Sequence, residues 1–340
     1  MARRERTTGL PRARRREVAA SGPRFLGLQW GDWQTRVAVI GGAVALLLLI
    51  LGILAYRIYD DRVGKPNSEI IRVADESYTL GYFADRLDQF LIANSSSGST
   101  LQLLEEDLLN KIEAEGVLVT LAKERKLDIG RDEVTKFIAE GLGVEPGGAG
   151  SSFDTLYRST LRTQKVSDGT YRRTKEAELA NNKLLDQIET TIGKGGDQFT
   201  LRAIVVDSQA TGDGILARLQ SGEDFATLAQ TESFDLESRQ NNGLLPPEPL
   251  ELLPQAVKAL VAGKSAGADT FGPVQVGDTW WVFRIDAIEA SDYSDQQSFQ
   301  LAQLQLQELS KQKSDELRAA GKIGRTIDAD DMEWAEKNLN

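Results

Sequence analysis

The 340-residue chain contains no histidine and no cysteine. A Ser-His-Asp triad, a Cys-His pair and a His/Cys zinc site are therefore excluded. So are disulfides, a thiol nucleophile and a lipid-modified cysteine. Any reaction must rest on carboxylates, hydroxyls, Lys, Arg, Tyr or the backbone. Two stretches offer groups of interest. Asp235 follows Ser233-Phe234 in a polar loop, and Glu237 lies close behind it. Paired carboxylates suit acid–base hydrolysis, but only composition supports that here, and an Asp in this setting also serves as a turn or cap residue. Trp280 and Trp281 are neighbours in an apolar run. On a strand they point to opposite faces, so one belongs to the core and the other is free to line a cleft.

The elements that position these residues run from Phe199 to Ile288. Leu201-Arg202-Ala203-Ile204-Val205-Val206 is short and rich in β-branched residues, as a buried strand is. Ile215, Leu216 and Leu219 recur at helical spacing before Ser221-Gly222. Phe225, Leu228 and Ala229 make a second helix behind Glu223-Asp224, whose charges favour a helix N-terminus. A polar loop to Asn242-Gly243 and a turn with Pro246, Pro247 and Pro249 lead to a third helix, expected over Leu252 to Leu260. Phe271 to Val276 and Trp280 to Ile285 read as a hairpin about Gly277-Asp278. Strand, helices and hairpin in this order predict a small α+β domain.

This stretch resembles the parvulin-type peptidyl-prolyl isomerase domain of PrsA- and SurA-like secreted foldases. Leu219-Gln220-Ser221-Gly222-Glu223-Asp224-Phe225-Ala226-Thr227-Leu228-Ala229 is similar to the family's Leu-x-x-Gly-x-Asp-Phe-Ala-x-Leu-Ala run. Ser233-Phe234-Asp235, the Ala256 to Gly263 segment and Gly272-Pro273-Val274 follow in the family's order. The departures fall on the site. Ala203 and Trp281 stand where the family has histidines, and its Gly-Gly-Asp-Leu-Gly turn has become Asn242-Gly243-Leu244-Leu245-Pro246. The resemblance implies a site with Asp235 as the catalytic polar partner, Leu253 and Leu250 as the apolar floor, and Ala203 and Trp281 as walls. Prolyl isomerisation crosses a barrier of about 18–20 kcal/mol, and a thousandfold acceleration needs only about 4 kcal/mol. A pocket that grips the ring and favours the twisted amide suffices. No cofactor and no metal is expected.

The rest of the chain frames this domain. Residues 1–36 carry nine Arg against Glu5, Glu17 and Asp32, a charge of +6, while the remainder carries −17. Val37 to Tyr56 is twenty residues without a charge, enough at about 1.5 Å per residue to span roughly 30 Å of hydrocarbon. No cleavage site of the signal-peptide kind follows, so a retained transmembrane helix is expected, and the Arg excess places the N-terminal arm in the cytoplasm. Residues 57–68 read as a linker. Residues 69–192 carry a possible strand at Ile70 to Val73 and then helical patterns, including the Leu104, Leu108, Ile112 stripe. They are similar to the chaperone region of the same foldases. Gly193 to Gly196 is expected as a hinge before the domain at 199–290. Ser298 to Ala320 reads as one long helix whose apolar side needs a partner. The resemblance implies that residues 296–340 return to complete the helical domain, with the parvulin-like domain inserted.

The expected fold class is thus α+β: an N-terminal transmembrane helix, a helical SurA/PrsA-like domain and an inserted small parvulin-like domain. The expected role is a membrane-anchored extracytoplasmic folding factor whose partners are unfolded or newly translocated polypeptides. The alternatives are a non-enzymatic holdase with a degenerate parvulin domain and a structural envelope scaffold. A charge of −17 on the main body argues against nucleic acid as a partner.

Overall fold

In the computed structural model, residues 24–25, 28–29, 32–94, 100–267 and 269–339 are described. The chain divides into two compact units, Met1–Pro66 and Asn67–Asn340. Most of the basic arm lies outside the described residues. In the first unit Arg24–Phe25 (β1) pairs with Leu28–Gln29 (β2), and Asp32–Tyr59 forms one helix (α1) of 28 residues. The side chains of its apolar run are exposed along its length, as a membrane-facing helix requires. It is the one helix among the described residues long and apolar enough to cross a membrane.

The second unit begins with two antiparallel strands, Glu69–Val73 (β3) and Glu76–Thr79 (β4). Thr79 also caps the next helix, Leu80–Ala93 (α2), by accepting the Tyr82 N–H. Leu101–Glu124 (α3) follows. Its Leu104, Leu108 and Ile112 recur at four-residue intervals and are all buried, Leu108 and Ile112 in one core with Ile71, Phe83 and Leu87. Each such side chain contributes about 1.5–3 kcal/mol. Gly116 lets α3 approach the sheet, since a β-carbon there would lie 2.9 Å from the Val73 side chain. Arg131–Gly141 (α4), Ser152–Gln164 (α5) and Asp168–Ile192 (α6) complete the first pass.

The chain returns after the inserted domain. Asp295–Ala319 (α11) packs on α3 and α6, Ile323–Arg325 (β9) pairs with β3, and Ala329–Lys337 (α12) docks on α2. The C-terminal helix therefore completes the helical domain. Glu113 on α3, 4% exposed, ties this return in place. It accepts from Arg318 of α11 and, at 3.0 Å, from Arg325 of β9.

Between α6 and α11 lies the inserted domain. Its sheet runs in the order β6-β5-β8-β7, all antiparallel. The strands are Gly195–Val206 (β5), Glu248–Pro249 (β6), Thr270–Val276 (β7) and Thr279–Asp292 (β8). Gln209–Gln220 (α7), Phe225–Glu232 (α8) and Leu236–Gln240 (α9) join β5 to the Pro-rich turn, and Gln255–Val261 (α10) follows it. Two boundaries differ from those the sequence predicts. The expected hinge at Gly195-Gly196 is strand instead, paired with Asp292 and Ser291. A β-carbon at Gly195 would collide with the Ser291 carbonyl, so glycine here serves close pairing rather than bending. The third helix starts at Gln255 rather than Leu252, because Pro254 holds Leu253 extended.

Candidate functional site

The inserted sheet buries both faces. On one, Ile204, Val206 and Val282 pack beneath α7 and α8 with Phe225 and Leu228, and Trp280 lies on this side. On the other, Leu201, Ala203, Phe283 and Ile285 pack against Leu253 and against Val257 of α10, with Trp281 and Leu250 at the margin. The two adjacent tryptophans thus belong to opposite faces, as the strand period requires. Trp281 Nε1 donates to Thr279 Oγ1 at 3.2 Å, which fixes the indole in plane beside the hairpin turn.

A cleft of about 650 Å³ opens over this second face. Trp281, Leu253, Leu201 and Leu245 supply its apolar lining, Glu248 and Glu251 its charge, and Gln300, Gln303 and Gln307 of α11 its far wall. Of the residues singled out from the sequence, Trp281 and Leu253 therefore meet in one site. Leu250 sits on the same core without lining the cleft. Ala203 is fully buried under the floor.

Asp235 lies apart from the cleft lining. Its Oδ2 accepts the Ser238 N–H at 2.7 Å, making it the cap of α9. Ser233 and Ser238 form a buried hydroxyl pair at 2.6 Å beneath it, and Ser233 Oγ accepts the Val205 N–H. The loop carrying Asp235 is thereby fastened to β5. Phe234, its neighbour, is 68% exposed.

The turn from Asn242 to Leu245 runs along β5 as a further edge. Ala203 N–H donates to the Gly243 carbonyl at 2.7 Å, and Leu245 N–H to the Leu201 carbonyl at 2.9 Å. Gly243 has φ +87° and a β-carbon there would lie 3.0 Å from the Ala203 carbonyl oxygen, so only glycine fits. Arg202 donates to the Asn242 carbonyl at 2.6 Å and to Asp286 at 2.8 Å, and Arg284 also donates to Asp286. Burial opposes the charge on Asp286, but the hydrogen bonds from Arg202 and Arg284 outweigh it and hold its carboxyl below the usual range. This ion triad sits on the α8 side of the sheet and positions the turn; it does not face the cleft.

Residues 206–287 match the Rotamase family, the PPIC-type PPIASE domain. The inserted domain is of the parvulin type. Over 147 residues the chain is 28% identical to the foldase protein PrsA of Clostridium kluyveri, a stretch covering 42% of this chain and 41% of the foldase. The chain thus spans about two-fifths of the length of that relative. Among solved structures it is similar to the PrsA peptidylprolyl isomerase of Bacillus anthracis, with 16% identity and a TM-score of 0.43 over 65% of this chain and 99% of that one. It is also similar to a SurA-like chaperone of Campylobacter jejuni, with 14% identity and a TM-score of 0.27 over 76% of this chain and 100% of that one.

What sequence reading missed in the parvulin domain is its outer wall, which comes from α11. The signal was present. Gln300, Gln303, Leu304 and Gln307 recur at three- and four-residue intervals, and Leu304 is exposed. The groups around the cleft can exclude water from an apolar ring and offer amide donors and acceptors to a backbone. Among the described residues no cluster of His, Cys, Asp or Glu is arranged to hold a metal.

Proposed function

We propose that this protein is a membrane-anchored extracytoplasmic folding factor, and that its parvulin domain binds proline-containing segments of unfolded polypeptides and accelerates their cis–trans isomerisation. The observation that carries this reading is the cleft over Trp281 and Leu253, two residues that lie inside the stretch matching the PPIC-type domain. An apolar floor that holds the pyrrolidine ring while the amide twists lowers the barrier without covalent chemistry. Desolvation weakens the resonance that keeps the peptide planar, and no histidine is needed for that step. Asp235 is the polar partner in this reading. Its Oδ2 is committed to Ser238, which leaves Oδ1 to meet a substrate amide that extends from the cleft toward the α9 loop. Helix α1 anchors the chain, and the Arg-rich arm before it sets the cytoplasmic side.

A holdase without isomerase activity is the second reading. The position of Asp235 as a helix cap outside the cleft lining and the burial of Ala203 favour it. One experiment separates the two. The full chain in detergent is assayed on a panel of Xaa-Pro peptides and on a protein whose refolding is limited by proline isomerisation, alongside suppression of aggregation. Acceleration that falls in a Trp281→Ala variant supports the isomerase. Suppressed aggregation with no acceleration supports the holdase, and neither effect would reject both.

A further inference from the structure

A second cleft, of about 700 Å³, lies between α3, α6 and α11. It shares Gln303 and Gln307 with the cleft of the parvulin domain. The shared wall is one face of α11. Gln300, Gln303 and Gln307 continue through Ser310 and Ser314 to Arg318 at helical spacing, and every one of them lines one cleft or the other. From Gln300 to Arg318 this face runs about 27 Å at the helical rise. An extended chain covers that distance with about eight residues. The amide and hydroxyl groups along it offer donors and acceptors to a peptide backbone without reading its side chains.

The two ends of this face differ in charge. At the parvulin end, Glu248 and Glu251 line the cleft and no cation does. Glu248 accepts from Gln297 at 3.2 Å, and the two carboxylates are the charged side chains of this lining. At the other end, Lys311 and Arg318 line the cleft with Glu113, whose charge is shared between Arg318 and Arg325. Lys311 also pairs with Asp315 at 3.4 Å, both side chains largely exposed, and the lining itself carries two cations against one carboxylate. We infer that the two clefts form a single track for one extended polypeptide segment, with a basic residue beside the proline at the parvulin end and an acidic residue about eight positions away. This rests on the proposed function and names the client segment that the same site selects.

The test uses the full chain in detergent and fluorescent peptides of about twelve residues, each with one proline. The first has Lys beside the proline and Glu at the far end, the second has the charges exchanged, and a third is neutral; each is made in both chain directions. A fourth keeps only six residues around the proline. In low salt the first peptide in its better direction is expected to bind about tenfold tighter than the second, and truncation to lose about tenfold. Combining Glu251→Lys with Lys311→Glu should reverse the charge preference. Equal binding of all the long peptides overturns the charge complementarity and leaves the proposed function standing. A charge preference with no dependence on length overturns the single track. Failure of every peptide, the neutral one included, overturns this inference together with the function on which it rests.

Discussion

Asp235 accepts the backbone N–H of Ser238 at 2.7 Å, so the carboxylate proposed as the polar partner of the site is the cap of α9. The two roles separate by substitution. Asp235→Asn keeps an oxygen for the cap and removes the charge, and is expected to leave stability within about 0.5 kcal/mol. If the carboxylate meets the substrate amide, kcat/KM on an Xaa-Pro peptide falls about tenfold. Asp235→Ala loses the cap as well, at about 1 kcal/mol. Unchanged turnover in Asp235→Asn, measured beside thermal unfolding, would leave Asp235 only the cap and assign the acceleration to the apolar cleft alone.

Trp281 and Leu253 carry the apolar part of the site, but they are not equivalent probes. Leu253 is 8% exposed and belongs to the core, so Leu253→Ala is expected to destabilise by about 2–4 kcal/mol and confuse binding with folding. Trp281 is half-buried at the rim of that core. Trp281→Ala is therefore expected to weaken a proline peptide about tenfold, near 1.4 kcal/mol, with a smaller stability loss than Leu253→Ala. Peptide titration followed by anisotropy, paired with a denaturation curve for each variant, checks the order.

The parts of this architecture that were legible in the sequence are those set by local pattern. The Leu104, Leu108, Ile112 stripe announces α3 because its period is that of a helix. Gly277, with φ +60°, announces the hairpin between β7 and β8 because few other residues adopt that conformation cheaply. Gly195, Gly196 and Asp197 carry no apolar alternation, and the partners that make them strand, Ala290 to Asp292, lie far along the chain. The wall of the cleft was hidden for the same reason. Gln303 reads as an exposed helix residue until the return of α11 brings it across Trp281 and Leu253. Nothing in the local sequence of Asp235 separates a cap from a catalytic group, since both need an acceptor at the start of a turn.

Arg86 on α2 and Glu115 on α3 make a bidentate pair, with Arg86 Nη2 to Glu115 Oε1 at 2.9 Å and a further bond from Arg86 to the Tyr82 hydroxyl at 2.9 Å. Arg86 is 7% exposed. Removing one partner strands a charge in a poorly solvated place, so Arg86→Ala is expected to cost about 3–5 kcal/mol. The double variant Arg86→Met, Glu115→Leu leaves no charge behind and should recover most of that loss. Urea denaturation of the single and double variants decides it; a double variant as unstable as the single would mean that the pair itself, and not the stranded charge, carries the energy.

Glu105 on α3 gives the fold a pH dependence whose sign can be worked out. It is 5% exposed, and its Oε1 finds no hydrogen-bond partner among the described residues. Burial, and then the neighbouring charge of Glu336 on α12, push its carboxyl up from an ordinary 4.5 to about 7. Between those values the folded chain holds a proton that the unfolded chain has released. The contribution is therefore fully present below pH 4.5 and is lost as the pH rises through about 7. Above that, an ionised Glu105 on α3 is repelled by the neighbouring Glu336 on α12. Glu105→Gln keeps the shape and can donate to Glu336 at every pH. It is expected to leave stability at pH 4.5 nearly unchanged and to raise it at pH 8 by on the order of 2 kcal/mol. Denaturation curves at the two pH values test this, and a gain of equal size at both would mean that packing, and not titration, is what the substitution changes.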